Sequence, residues 1–203
     1  VIRICEFTAR QIVGKSKSSS KYSRFNNRKD VSKINVSRVG LLDIKEGSKD
    51  LNIYLQVTSA SDSSKHYRVD IKIVDFVDHL KEFAESMSTA ATIQNLIHQI
   101  KPFFVQELKT ANIKVSCSCP DFTYRFKDSA RNEKFYFGID PSDEARSPNP
   151  NKVNPHYEGS VCKHLMKVLT MPSTWYEKVL RSLSNLLKNN KSVLTQDLGI
   201  PDK

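Results

Sequence analysis

The sequence predicts an α+β fold: a small antiparallel sheet with a helical insertion, a Cys/His knuckle, C-terminal helices and an extended basic N-terminal arm. Three observations predict it. Residues 51–58 and 67–73 alternate apolar and polar with the period of half-buried strands. Apolar residues then recur at helical spacing through 77–104 and again through 175–186. Cys117, Cys119, Cys162 and His164 fall in two tight pairs, C-x-C at the end of a strand-like run and C-x-H at the start of a helical one.

At 203 residues the chain holds one domain with embellishments or two small ones. The divisions read from composition are a basic extended arm over 1–38, an α+β domain over 39–190, and a C-terminal tail over 191–203. Within the domain lie a helical insertion (about 76–108) and a long loop (about 120–160). Hydrophobic residues make up 38%, enough for a modest core but low for a compact enzyme.

The formal net charge of +10 is uneven. Arg10, Lys15, Lys17, Lys21, Arg24, Arg28, Lys29, Lys33 and Arg38 face a single acid, Asp30. The segment GKSKSSSKYSRFNNRKD has almost no aliphatic side chains and cannot bury enough surface to offset chain entropy, which predicts an arm. Lys15, Lys17, Lys21, Arg24, Arg28 and Lys29, interleaved with Tyr22 and Phe25, are candidates for contact with nucleic acid or an acidic subunit. The plain alternative is a solvated linker.

Leu51, Ile53, Leu55 and Val57, then Tyr67, Val69, Ile71 and Ile73, mark two strands joined by the turn-rich SASDSSKH, so they pair as an antiparallel hairpin. An earlier strand fits Asn35–Ile44, and Ile113–Cys117 would extend the sheet. Val77, Leu80, Phe83, Ala84 and Met87 share one helical face; Ile93, Leu96, Ile97, Ile100 and Phe104 share another, with Pro102 expected to kink or end that helix. This insertion reads as a lid over the sheet, with a docking surface as the other reading. His79 and His98 lack metal-ligand neighbours and read as surface or core-edge residues.

On a strand, residues i and i+2 face one side, so Cys117 and Cys119 can aim both sulfurs at one ion before the knuckle at Pro120. Cys162 sits where the loop gives way to the helix of Leu165, Val168 and Leu169, and His164 can reach back from its first turn. Three thiolates and an imidazole are the complement that tetrahedral zinc prefers, which predicts one structural Zn²⁺ per chain. Four protein ligands leave no position for activated water. Buried thiols are the competing reading; disulfides compete poorly, because an i,i+2 bridge is strained and no signal segment opens the chain. His156 could stand in as a replacement ligand but, in a polar loop, reads as a solvated histidine, and Asp121 reads as an acceptor that orients or caps the knuckle.

Between the ligand pairs, TYRFKDSARNEKFYFG mixes aromatic and basic residues. Tyr124, Arg125, Phe126 and Arg131 are contact candidates, for a partner protein or for stacked bases. An aromatic minicore around the knuckle is the third reading and stays open beside them. The Asn- and Pro-rich DPSDEARSPNPNKVNP should cross irregularly. After the finger, Pro172 ends a helix, Thr174 to Glu177 has the pattern of a capping box, and Trp175, Val179, Leu183 and Leu186 form the stripe of a last core helix. The tail carries one apolar anchor, Leu198–Ile200. There is no glycine-rich phosphate loop, nucleophile elbow or metal carboxylate pair, so the chain does not read as an enzyme. No apolar run is long enough to span a membrane.

C-x-C…C-x-H followed by an aliphatic helix resembles the SWIM-type zinc finger, and SSKHYRVDIKI is similar to the strand that often precedes it. The resemblance covers about residues 51–74 and 113–170. Here 42 residues separate the ligand pairs, more than is usual in that family, and a helical insertion precedes the first pair. A narrower resemblance includes both features. ELKTANIKVSCSCPDFTYRF and SPNPNKVNPHYEGSVCKHLMKVL look like a group of tailed-bacteriophage virion proteins. That resemblance implies a non-enzymatic structural component of the capsid, neck or tail, made in the host bacterial cytoplasm. Its partners would be other virion proteins and, through the basic arm, packaged DNA, with no membrane and no small-molecule substrate. The general family implies the alternative, a DNA-binding zinc-finger module.

Overall fold

The computed structural model describes residues 8–18, 31–42, 49–87, 93–138 and 161–189. In chain order the elements are α1 (Ala9–Ser18), β1 (Val36–Leu42), β2 (Leu51–Thr58), β3 (His66–Ile73), α2 (Phe76–Ser86), α3 (Ile93–Thr110) and β4 (Ile113–Cys117). A π-helical turn (Phe122–Phe126), α4 (Lys127–Asn132), α5 (Lys163–Thr170), a 3-10 turn (Pro172–Thr174) and α6 (Tyr176–Asn189) follow.

The alternating stretches become β2 and β3, the two inner strands of a four-stranded antiparallel meander ordered β1-β2-β3-β4. The register sets Leu55 opposite Val69 and Val69 opposite Cys117, then Ile53 opposite Ile71 and Ile71 opposite Val115. These side chains share one face, and all of them are buried. A slip of one residue would turn every one of them to solvent, so burial fixes the register.

Among the described residues the helices gather on that face. α6 lies against β1 and α5 against β4. Phe76, Leu80, Ala84, Leu96, Ile100, Phe103 and Phe104 of the insertion join the same continuous core. The ring of Phe76 meets Phe103 at 5.6 Å and Phe104 at 6.3 Å between centroids. The insertion reads in sequence as a lid over the sheet; its longer helix α3 leans instead on α6 and α1. Pro102 neither ends nor divides α3, which runs on to Thr110. Buried Leu96 and Ile100 before it and Phe103 and Phe104 after it hold both halves, which offsets the one lost backbone bond.

The arm differs from its expectation. Ala9–Ser18 is helix rather than extended chain, because Ile12 and Val13 are buried, and α1 packs on α5 and α3. The side chain of Gln11 accepts from the Thr8 N–H, and the Thr8 hydroxyl accepts from the Gln11 N–H, closing the N-terminus. Lys15 and Lys17 belong to this helix. Lys21, Arg24, Arg28 and Lys29 lie outside the described residues, as do the 139–160 loop with His156 and the tail anchor at 198–200.

Two C-terminal details also differ. The Thr174 hydroxyl donates to the Met171 carbonyl (2.8 Å), while Glu177 accepts from Lys101 of α3 (2.6 Å), so no capping box forms. Leu187 rather than Leu186 completes the buried stripe of Trp175, Val179, Leu180 and Leu183. The Trp175 indole N–H donates to the Val168 carbonyl (3.0 Å) and fastens α6 to α5.

We predict that Ile12→Ala lowers unfolding stability by about 2–5 kcal/mol, the usual cost of truncating a buried aliphatic side chain. Urea denaturation measures it. A change within about 0.5 kcal/mol, typical of a surface position, would mean that α1 is not docked.

Candidate metal centre

Cys117 is the last residue of β4, held opposite Val69 by the ladder. One residue further the pairing persists: Ser118 N–H donates to the Arg68 carbonyl and Arg68 N–H donates to the Ser118 hydroxyl, both at 2.9 Å. The chain then turns, and Pro120 opens a helical stretch, as proline at a first helical position does. Phe122 N–H donates to Cys119 Sγ (3.3 Å), while the N–H and hydroxyl of Thr123 both donate to the Cys119 carbonyl (3.0 and 3.1 Å). An N–H aimed at sulfur favours the thiolate, the form a metal takes.

The second pair comes from α5. Cys162 is the extended residue before the helix (φ −74°, ψ 170°), and its side chain makes no capping bond, so the thiol is left for the site. His164 follows in the first turn and is buried. The helix N-terminus carries partial positive charge, which suits three gathered thiolates. Tyr67 of β3 packs its ring 4.8 Å from the His164 ring and fixes the imidazole against the sheet.

The donor atoms of Cys117, Cys119, Cys162 and His164 all lie within 4.8 Å of one another, and all four residues are buried. A zinc–sulfur distance of about 2.3 Å puts tetrahedral sulfurs about 3.8 Å apart, so an inward movement of about 1 Å or less would close the sphere. Neither ring nitrogen of His164 has a hydrogen-bond partner. A buried imidazole with both nitrogens unpaired is costly, and ligation satisfies one of them. The four-residue cluster can therefore hold a metal ion, and its soft donors suit zinc far better than magnesium or calcium.

Burial pushes the Cys117 and Cys162 thiols well above their ordinary range. Cys119 is driven the other way, first by hydrogen bonds from Cys117 and Cys162 and then by the nearby imidazole. Burial thus favours the protonated form of Cys117 and Cys162 when no ion is bound. Loading a metal must expel the remaining protons.

The neighbours sort differently from their sequence reading. Asp121 caps nothing; it pairs with Arg125 one turn on (3.1 Å), while burial raises its carboxyl above the usual range. The stretch after Cys119, read as the start of a long loop, is helical through Asn132. Lys134, in the left-handed region (φ 63°), then reverses the chain. Phe135–Phe137 returns to the free side of β4, where Val115 N–H donates to the Phe135 carbonyl (2.7 Å) and Phe137 N–H to the Val115 carbonyl (2.9 Å). Phe122, Phe126 and Phe135 are buried, and Tyr136 stacks on Phe122 at 6.4 Å. Of the aromatic and basic contact candidates here, Phe126 is thus a core residue, with its ring withdrawn from any partner by burial. Arg131 pairs with Asp128 (3.7 Å) and lies over the Tyr136 ring (5.2 Å), and Tyr124 alone among the four is largely exposed.

Sequence reasoning missed Tyr67 as the support of His164; only its i+2 offset from Val69, the register partner of Cys117, hints at it. His79 is not a ligand: its Nδ1 meets buried Glu107 at 2.8 Å. His98 meets Gln94 at 3.2 Å. No helix among the described residues is long and apolar enough to cross a membrane.

We predict that metal affinity rises with pH through neutrality, because two raised thiols must lose protons on binding. Zinc titration in two buffers of different ionisation enthalpy should show net proton release, and a pH-independent affinity would contradict the thiolate set. Cys117→Ser and Cys162→Ser should each abolish stoichiometric binding, whereas Asp121→Asn should leave it intact. Comparison with protein-family models, with curated proteins and with solved structures finds no match.

Proposed function

We propose that this chain is a non-enzymatic structural component of a tailed-phage virion, in its capsid, neck or tail assembly, whose fold is fixed by one zinc ion. The observation that carries the structural role is the closed, buried donor set. Four protein donors complete a tetrahedron and leave no open position at which a metal could activate water or bind substrate. The ion would join the end of β4 to the start of α5 across 42 intervening residues. By chain-entropy reckoning a cross-link over that interval is worth about 4 kcal/mol. The particle itself rests on the likeness of the two ligand strings to phage virion proteins. In that setting the partners are other virion proteins, with packaged DNA within reach of the basic segment.

A SWIM-type DNA-binding module is the second reading, favoured by the net charge of +10. Mass spectrometry of gradient-purified particles, together with elemental analysis of the isolated protein, separates the two. The expected result is presence in the particle with one zinc per chain. Absence from particles together with sequence-specific duplex binding would sink the virion reading. Chelation of the metal should lower the melting temperature by about 10 °C, the shift that a loss of about 4 kcal/mol gives a domain of this size. Melting unchanged after verified zinc removal would contradict a structural ion.

A further inference from the structure

The face of the sheet turned away from the core is laid out in three rows. The first runs Arg38–Gln56–Arg68 and on to Ser118, the second Gly40–Tyr54–Asp70–Ser116, the third Asn52–Lys72–Lys114. Rows two residues apart along a strand are about 6.8 Å apart. The row that carries Tyr54 and Asp70 thus lies between two rows that carry Arg38, Arg68, Lys72 and Lys114. Arg38, Arg68 and Lys114 are exposed. Arg68 pairs with Asp70 (2.7 Å) and Lys72 with Asp50 (2.9 Å). Arg38 and Lys114 have no acidic partner among the described residues, so the face keeps a positive excess.

Two aromatic rings lie within reach of its cations. The Tyr54 ring rests on Gly40, where even a Cβ would come within 2.1 Å of it, and the Arg68 guanidinium stands 5.5 Å from the ring centroid. Phe137, beside β4, has Lys72 Nζ 5.2 Å from its centroid. The absence of a side chain at Gly40 is what lets the tyrosine lie flat. Flat rings and guanidinium planes are the surfaces on which unpaired bases stack, and flanking cations hold the backbone between them.

We infer that this outer face binds single-stranded nucleic acid, with bases stacking on the Arg68–Tyr54 and Lys72–Phe137 pairs and phosphates meeting Arg38 and Lys114. The inference is independent of the metal ion and of the particle reading. A duplex fits poorly, because its bases are already stacked and cannot use the rings.

The test is fluorescence anisotropy of the full zinc-loaded chain with a labelled single-stranded thymidine 20-mer and with a duplex of equal length, at several salt concentrations. The basic segment before β1, residues 10–33, would contribute background binding, so variants are compared with a charge-matched control, Lys178→Ala with Arg181→Ala on α6. Arg38→Ala with Lys114→Ala should weaken the single strand about tenfold and flatten the slope of log K against log salt by about 1.4, the value for two lost phosphate contacts. Tyr54→Ala should cost about tenfold on the single strand and little on the duplex. Gly40→Ala, which pushes the ring off the sheet without altering charge, should mimic it. Zinc content and melting temperature confirm that each variant is folded; if Tyr54→Ala or Gly40→Ala unfolds, the exposed double variant decides alone. Equal losses in the face and control variants, or no preference for the single strand, would overturn the inference. Loss of binding to polyglutamate without loss on the oligonucleotide would assign the face to an acidic protein instead and overturn it as well.

Discussion

Three thiols and an imidazole enclosed in a buried site set a condition that the surrounding structure has to meet. Their donors are crowded within 4.8 Å, and both imidazole nitrogens are unpaired. Such a cluster is tolerable when a cation neutralises it and costly when nothing does. The end of β4 and the start of α5 must therefore stay in register to within a fraction of the metal–ligand distance. Neighbouring elements supply that rigidity. The β3–β4 ladder continues through Ser118, Tyr67 backs the imidazole, α1 packs on α5, and Trp175 ties α6 to α5 by its indole N–H.

The stretch between the ligand pairs belongs to the same construction. Its aromatic residues could in principle have served a partner, yet Phe122, Phe126 and Phe135 are buried, and Tyr136 packs on Phe122. The returning segment at Phe135–Phe137 pairs with Val115 and covers part of an edge that would otherwise expose unpaired backbone groups. A basic residue close to an aromatic one in sequence is ambiguous, because the cation can stack on that ring within the fold as readily as on a ligand. Burial decides the matter here.

The two faces of the sheet have opposite chemistry for a single reason, the two-residue period of a strand. Leu51, Ile53, Leu55 and Val57 all enter the core, and Asn52, Tyr54 and Gln56 must then face the other way. The helices gather on the apolar side. The polar side keeps its cations and a tyrosine seated on glycine.

The sequence by itself determined the elements whose signal is local. Alternation defined β2 and β3, helical spacing defined the insertion and α6, and two pairs of unusual composition picked out the four residues that the fold brings together in a cluster able to hold a metal. Thiolate and imidazole ligands are recognisable without coordinates because few other roles require that combination at that spacing. What only the tertiary structure decided depends on partners distant in the chain. Ile12 and Val13 turn a polar, basic segment into a docked helix, since two apolar side chains find a waiting surface on α5 and α3. Pro102 is absorbed because packing on both sides outweighs one missing hydrogen bond. Glu177 leaves the capping pattern for Lys101, which lies 76 residues away. In each case a local preference worth about 1–3 kcal/mol is overridden by contacts that no window of sequence contains.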